Sequence, residues 1–155
     1  MLKGIDPLLT PALLHVLADM GHGDEIVIAD ANFTAASLAR SGPLAKPLIH
    51  LSGAGTLRAS EAVLSLLPLD DAVTQPVAYM QVGGKPVGWR SALQRAVVAR
   101  LGELGLARPE QCEPIERFAF YDRVRSAFAI VVTGEPQPYG NFIFKKGVIC
   151  APLAE

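Results

Sequence analysis

The 155-residue chain is poor in charge, in cysteine and in long apolar runs. Charged residues make up 19% of it, below the roughly 25% usual for soluble domains. Basic residues are scattered and the formal net charge is -1, which excludes the clustered basic footprint of a nucleic-acid binder. No apolar run approaches the roughly 18 residues needed to cross a bilayer, so no membrane partner is expected. The opening "MLKGIDPLLTPALLH" places Asp6, Pro7 and Pro11 where a secretory leader needs a continuous apolar core. A cytoplasmic location is therefore expected. Cys112 and Cys150 stand alone, without metal spacing, and read as reduced, partly buried thiols. No His, Cys, Asp and Glu grouping has ligand spacing either, so neither a metal nor another cofactor is expected. No repeat, low-complexity segment or long linker interrupts the chain, and residues 1–155 read as one domain.

Apolar residues are abundant. They make up 50% of the chain, and mean hydropathy is +0.31. A small domain has much surface per volume, so this excess is hard to hide in a monomer. Burial between copies in a homo-oligomer is the reading preferred over an unusually rich core. "TPALLHVLADMG" opens with Thr10 as an N-cap and Pro11 in the first turn, and predicts a helix that Gly21 ends. "EIVIAD" (25–30), "PLIHLSG" (47–53) and "PVAYMQV" (76–82) predict strands. "SEAVLSLLP" (60–68) predicts a helix stopped by Pro68, and 89–105 an amphipathic helix. Residues 113–135 predict a strand start, a helix near 118–126 and a strand near 127–133. "YGNFIFKKGVI" (139–149) predicts a last strand. The alternation implies an α/β fold, a three-layer sandwich around a largely parallel sheet.

Some motifs lead nowhere. Gly53-x-Gly55 follows a strand and precedes a helix, but Arg58 replaces the third glycine of a dinucleotide fingerprint. A tight strand-to-helix turn fits better. Gly83–Gly84–Lys85 has no phosphate loop around it and reads as a turn. His15 and His50 lie within a predicted helix and strand and read as packing or interface residues. His22 differs, because "GHGD" sets it between two glycines after a helix. The glycines permit positive φ and leave room for a ligand, and histidine is the side chain best suited to give and take a proton at physiological pH. A histidine in a turn that merely needs glycine fits equally well.

Asp30 closes the first strand, at the carboxyl edge where α/β sheets gather ligands. It suits sugar hydroxyls, or the capping of a following helix. In "PYGN" (138–141), Pro138 and Gly140 fix a turn, and Tyr139 and Asn141 offer a hydroxyl and a carboxamide suited to a polyol. A plain turn is the alternative. Arg117, in "IERFAFYDR", is either a surface charge or a fixed donor to ligand oxygens.

"MGHGDEIVIADANF", "RFAFYDRVRSAFAIVVTGE" and "YGNFIFKKGV" together resemble the fucose mutarotase and ribose pyranase family of cytoplasmic sugar-anomer isomerases. "LKGIDPLLTPALLHVLADMGHGDEI" is closer to the fucose branch. The resemblance implies an L-fucose mutarotase activity without cofactor, with His22 catalytic. It implies Asp30, Arg117, Tyr139, Gly140 and Asn141 as residues binding a monosaccharide. It further implies ring-shaped homo-oligomers, often decamers, with sites at subunit contacts. Asn32 departs from the fucose branch, where histidine usually follows "ADA". The rival reading is a non-catalytic monosaccharide-binding accessory protein, which would use the same binding residues without His22.

Overall fold

A computed structural model of the protein describes residues 2–152. Six strands form one sheet: β1 (Glu25–Ala29), β2 (Leu48–Leu51), β3 (Val77–Met80), β4 (Cys112–Ile115), β5 (Ala129–Thr133) and β6 (Phe142–Lys145). The order is β2-β5-β1-β6-β3-β4. The β1–β5, β2–β5 and β3–β4 pairings are parallel, and β6 runs antiparallel to both β1 and β3. Helices α1 (Pro11–Asp19), α3 (Thr56–Leu64) and α4 (Ala92–Glu103) cover one face. Helices α2 (Ala35–Ala39) and α5 (Arg117–Ser126) cover the other. This is the predicted three-layer α/β sandwich.

Burial on both faces explains the unbroken apolar run of β1. Ile26 and Ile28 enter one core, Val27 and Ala29 the other, and all four are fully buried. The reversed β6 follows from its connection. Strand β5 ends at the same edge as β1, and residues 134–141 contain no helix to carry the chain back across the sheet. The next strand must start at that edge and run the other way. The connection therefore wraps over the carboxyl end of β1.

Local chemistry sets the helix starts. The Thr10 side chain accepts from Leu13 N–H, with Pro11 in the first turn. Ser91 and Gln94 form a reciprocal capping box on α4. Glu116 accepts from the N–H groups of Phe118 and Ala119 at the start of α5. Helix α3 begins four residues before the predicted Ser60 and ends at Leu64, short of Pro68. Gly55, read only as a turn signal, is its N-cap in extended conformation. The five-residue α2 has too little periodicity to announce itself. His15 and His50 are exposed rather than packed, and His15 pairs with Asp19 one helical turn on.

At the amino edge of β1, Arg123 of α5 joins Glu25 and Glu113, and Lys145 joins Glu25. Burial raises the Glu25 carboxyl, but these two cations outweigh it and hold it below its usual range. Cys112 is buried and Cys150 exposed, and both are free thiols. Burial pushes the Cys112 thiol up to about 11, so it is inert at neutral pH. No helix among the described residues is long and apolar enough to cross a membrane.

Phe120 fastens α5 to the sheet, fully buried with its ring edge-on to Phe33. Phe120→Ala is expected to cost about 3–5 kcal/mol, read by urea unfolding. A loss within 1 kcal/mol, of order one exposed side chain, would show that the α5 face is not a packed core.

Candidate active site

The carboxyl ends of β1 and β3 meet the start of β6 at one sheet edge. A cavity of about 210 Å³ opens there, lined by Asp30, Asn32, Phe33, Met80, Arg117, Tyr121, Pro138, Tyr139 and Asn141. It is smaller than the roughly 300–1,000 Å³ clefts of drug-sized ligands, which suits a single small ring. Four of the six residues that the sequence singled out line this cavity. Gly140 lies directly behind it, and His22 is elsewhere.

Asp30 and Asn141 form the centre. Asp30 N–H donates to Asn141 Oδ1 at 2.9 Å, and Asn141 Nδ2 donates back to Asp30 Oδ2 at 2.9 Å. Gly140 N–H also donates to Oδ2, at 3.2 Å, and Asn32 N–H donates to Oδ1 at 3.0 Å. A carboxylate offers about four acceptor positions, so roughly one remains for a ligand hydroxyl. The Asn141 carboxamide is committed largely to Asp30, so it shapes the carboxylate as well as the cavity wall. Burial raises the Asp30 carboxyl above its usual range; the three N–H donors oppose this, and the Glu135 charge adds to it.

The turn that carries these donors is tight. Tyr139 has φ +63°, and it is the single non-glycine residue with positive φ among those described. Gly140 is required by space rather than by φ. A Cβ there would meet Leu93 Cδ2 at 2.9 Å, Glu135 Cγ at 3.1 Å and Thr56 Oγ1 at 3.2 Å. Thr56 Oγ1 donates to the Gly140 carbonyl at 2.8 Å. Arg117 stands at the start of α5, with its guanidinium near the rings of Phe118 and Tyr121. Its Nε donates to the Tyr121 hydroxyl at 2.9 Å, which leaves the terminal N–H groups free to face ligand oxygens. Tyr121 escaped the sequence reading, although its position one helical turn after Arg117 marks the same face. Glu135 escaped it too. Its carboxylate faces the first N–H of α3 at 3.4 Å and would lie 2.8 Å from a Cβ on Gly55. The protein thus fills that helix terminus with its own anion, which is why Gly53-x-Gly55 is a turn and no phosphate cradle.

His22 lies at the opposite edge. Five steps of extended chain from Glu25 to Asp30 span about 17 Å, and His22 precedes them. Its Nε2 lies 3.2 Å from Asp70 Oδ1, and its side chain is 51% exposed. Gly23 takes the predicted positive φ, at +84°, and Asp24 caps the turn by accepting from Gly21 N–H. Lys146 bonds the carbonyls of Leu17 and Met20, so the end of α1 and the His22 loop are tied to the end of β6. Burial raises the Asp70 carboxyl, but Ala72 N–H and the His22 imidazole outweigh it and hold it low. Asp70 is remote in sequence and reaches His22 through the pairing of Leu69 with Lys146, which no local pattern announces.

The model of the RbsD / FucU transport protein family matches residues 3–149. The chain is 45% identical over 150 residues to the fucose mutarotase of Homo sapiens, covering 96% of this chain and 94% of that protein. It is 42% identical over 149 residues to the L-fucose mutarotase of Actinobacillus pleuropneumoniae serotype 5b, covering 96% and 97%. The fold is similar to the crystal structure of the fucose mutarotase from Streptococcus pneumoniae in complex with L-fucose. The TM-score there is 0.84 at 35% identity, covering 96% of this chain and all of that one.

The Asp30 carboxyl, followed by carbon NMR, is expected to titrate above the usual aspartate range. Glu135→Gln removes a facing negative charge and should lower that midpoint. An Asp30 midpoint in the ordinary range, or one indifferent to Glu135→Gln, contradicts this electrostatic account. A raised carboxyl favours the folded state at low pH, and that contribution fades as pH rises through the folded midpoint.

Proposed function

The chain belongs to the RbsD / FucU family, and from that membership we propose how it interconverts the α and β anomers of L-fucose. The reaction opens the pyranose ring and closes it on the other face. It needs one proton delivered to the ring oxygen and one removed from the anomeric hydroxyl, and both transfers reverse on closure. The observation that carries the reading is the Asp30–Arg117–Tyr139–Asn141 cavity in a chain about 45% identical to fucose mutarotases.

Asp30 keeps an acceptor position open for a sugar hydroxyl. Burial raises its proton affinity, which also makes it an available acceptor for the anomeric proton. Arg117 donates to ring-bound oxygens and cannot deprotonate. The Tyr139 hydroxyl and the wall formed by Gly140 and Asn141 fix the sugar's orientation. Phe33, Met80 and Tyr121 give the cavity an apolar side, against which the C6 methyl of a 6-deoxy sugar packs.

His22 is the proton donor in this proposal, and it serves the cavity of a neighbouring copy. Its half-exposed imidazole, backed by Asp70, is free at the surface on the edge remote from its own Asp30. A homo-oligomer, a decameric ring in this reading, brings the two edges together and buries part of the apolar surplus. The placement is cytoplasmic, consistent with two free thiols. A chain that cannot assemble would retain the sugar cavity and lack the imidazole, which is the binding-protein reading in physical form.

The test is NMR saturation transfer between the anomeric protons of L-fucose. The protein should accelerate exchange, and His22→Ala should lower the rate by about 10²–10⁴-fold. Co-expressed His22→Ala and Asp30→Asn chains should regain activity in about a quarter of the sites, as a site shared between subunits requires. No regain from a co-assembled mixture would overturn the shared site. Exchange in the wild type no faster than in buffer would leave a sugar-binding protein.

A further inference from the structure

We propose that Gln94, buried beneath the Tyr139–Asn141 turn, is a positioning residue that sets Tyr139 in its sugar-binding conformation. The proposal rests on the mutarotase reading of the cavity. Gln94 has no exposed surface, and it comes from the first turn of α4. Its Nε2 donates to two backbone carbonyls, Met80 O at 2.8 Å and Tyr139 O at 2.9 Å. Its Oε1 accepts from Ser91 N–H at 3.0 Å. One carboxamide thus joins a helix start, the end of β3 and the turn. Met80 and Tyr139 both line the cavity, so Gln94 fixes the distance between two of its walls.

Tyr139 needs such a partner. A left-handed φ is unfavourable for a bulky residue and persists only where its surroundings hold it. The carbonyl end is held by Gln94. At the other end, the Tyr139 hydroxyl lies 3.0 Å from where a Cβ on Gly83 would sit, so Gly83 leaves it room. Without the Nε2 donor, the buried Met80 carbonyl and the part-buried Tyr139 carbonyl would lose a partner, and the turn could relax toward negative φ. The ring would then leave the cavity wall while the sheet stayed intact.

The capping box of α4 gives Gln94 a second, structural role that chemistry can separate. Capping uses Oε1 and the backbone N–H, which accepts no help from Nε2. Gln94→Glu keeps the capping acceptor and replaces the amide that donates to Tyr139. Ser91→Ala damages the cap and leaves that amide in place. Saturation-transfer kinetics over a range of L-fucose concentrations should show KM raised about tenfold or more in Gln94→Glu, with a smaller change in kcat. Ser91→Ala should lower the thermal midpoint and leave KM unchanged. Tyr139→Phe should cost less in the Gln94→Glu background than in the wild type, because the ring is already misplaced. An unchanged KM in folded Gln94→Glu, or an equal rise in Ser91→Ala, overturns the proposal while an active wild type preserves the mutarotase reading. An inactive wild type overturns that reading instead. If Gln94→Glu does not fold, Gln94→Met, of similar volume and without polar atoms, takes its place. Failure of both to fold assigns Gln94 to the fold alone and also overturns the proposal.

Discussion

The reciprocal bond between Asp30 and Asn141 is the contact on which the site depends. It joins the carboxyl end of β1 to the start of β6, residues 111 apart in sequence. A buried carboxylate is costly unless its oxygens are satisfied. Here Asn32 N–H, Gly140 N–H and the Asn141 carboxamide meet most of that need. The remaining capacity is what a ligand can use. The same bonds lock the turn after Pro138, so the cavity wall and the charge within it are one structure.

Topology makes that contact possible. The helix-free connection after β5 passes over the end of β1 and forces β6 to run against its neighbours. One antiparallel strand inside an otherwise parallel sheet therefore delivers Tyr139, Gly140 and Asn141 to the edge where Asp30 ends its strand. Two helix starts support the turn from beneath. Thr56 of α3 donates to the Gly140 carbonyl, and Gln94 of α4 donates to the Tyr139 carbonyl. The site's exposed chemistry rests on a layer of buried polar groups, each with its partner chosen.

The strand that organises one edge separates it from the other. His22 and Asp30 flank β1, and a strand is a rigid spacer at about 3.3 Å per residue. No rotation of side chains closes such a gap within one chain. The catalytic reading and the oligomeric reading are therefore coupled. The apolar surplus of the sequence and the distance between the two residues both favour the proposed assembly.

The α/β class, the three layers and most strands were legible locally, because apolar runs and N-cap residues such as Thr10 act within a few positions. The resemblance carried by "GHGD", "RFAFY" and "YGN" pointed to the sugar-isomerase family and to His22, Asp30, Arg117 and the turn. Helix α3 was misplaced because Gly55 serves equally as a turn residue and an N-cap. The local sequence carries the inventory of chemical groups and the periodicity that buries or exposes each one. Their partners are set by the three-dimensional fold. It put Asp70 behind His22, Glu135 against the α3 terminus, Gln94 beneath Tyr139, and His22 on the far edge from Asp30. The first three pairings join residues dozens of positions apart, and hydrogen bonds at such separations are set by strand order and crossover, which local patterns do not encode.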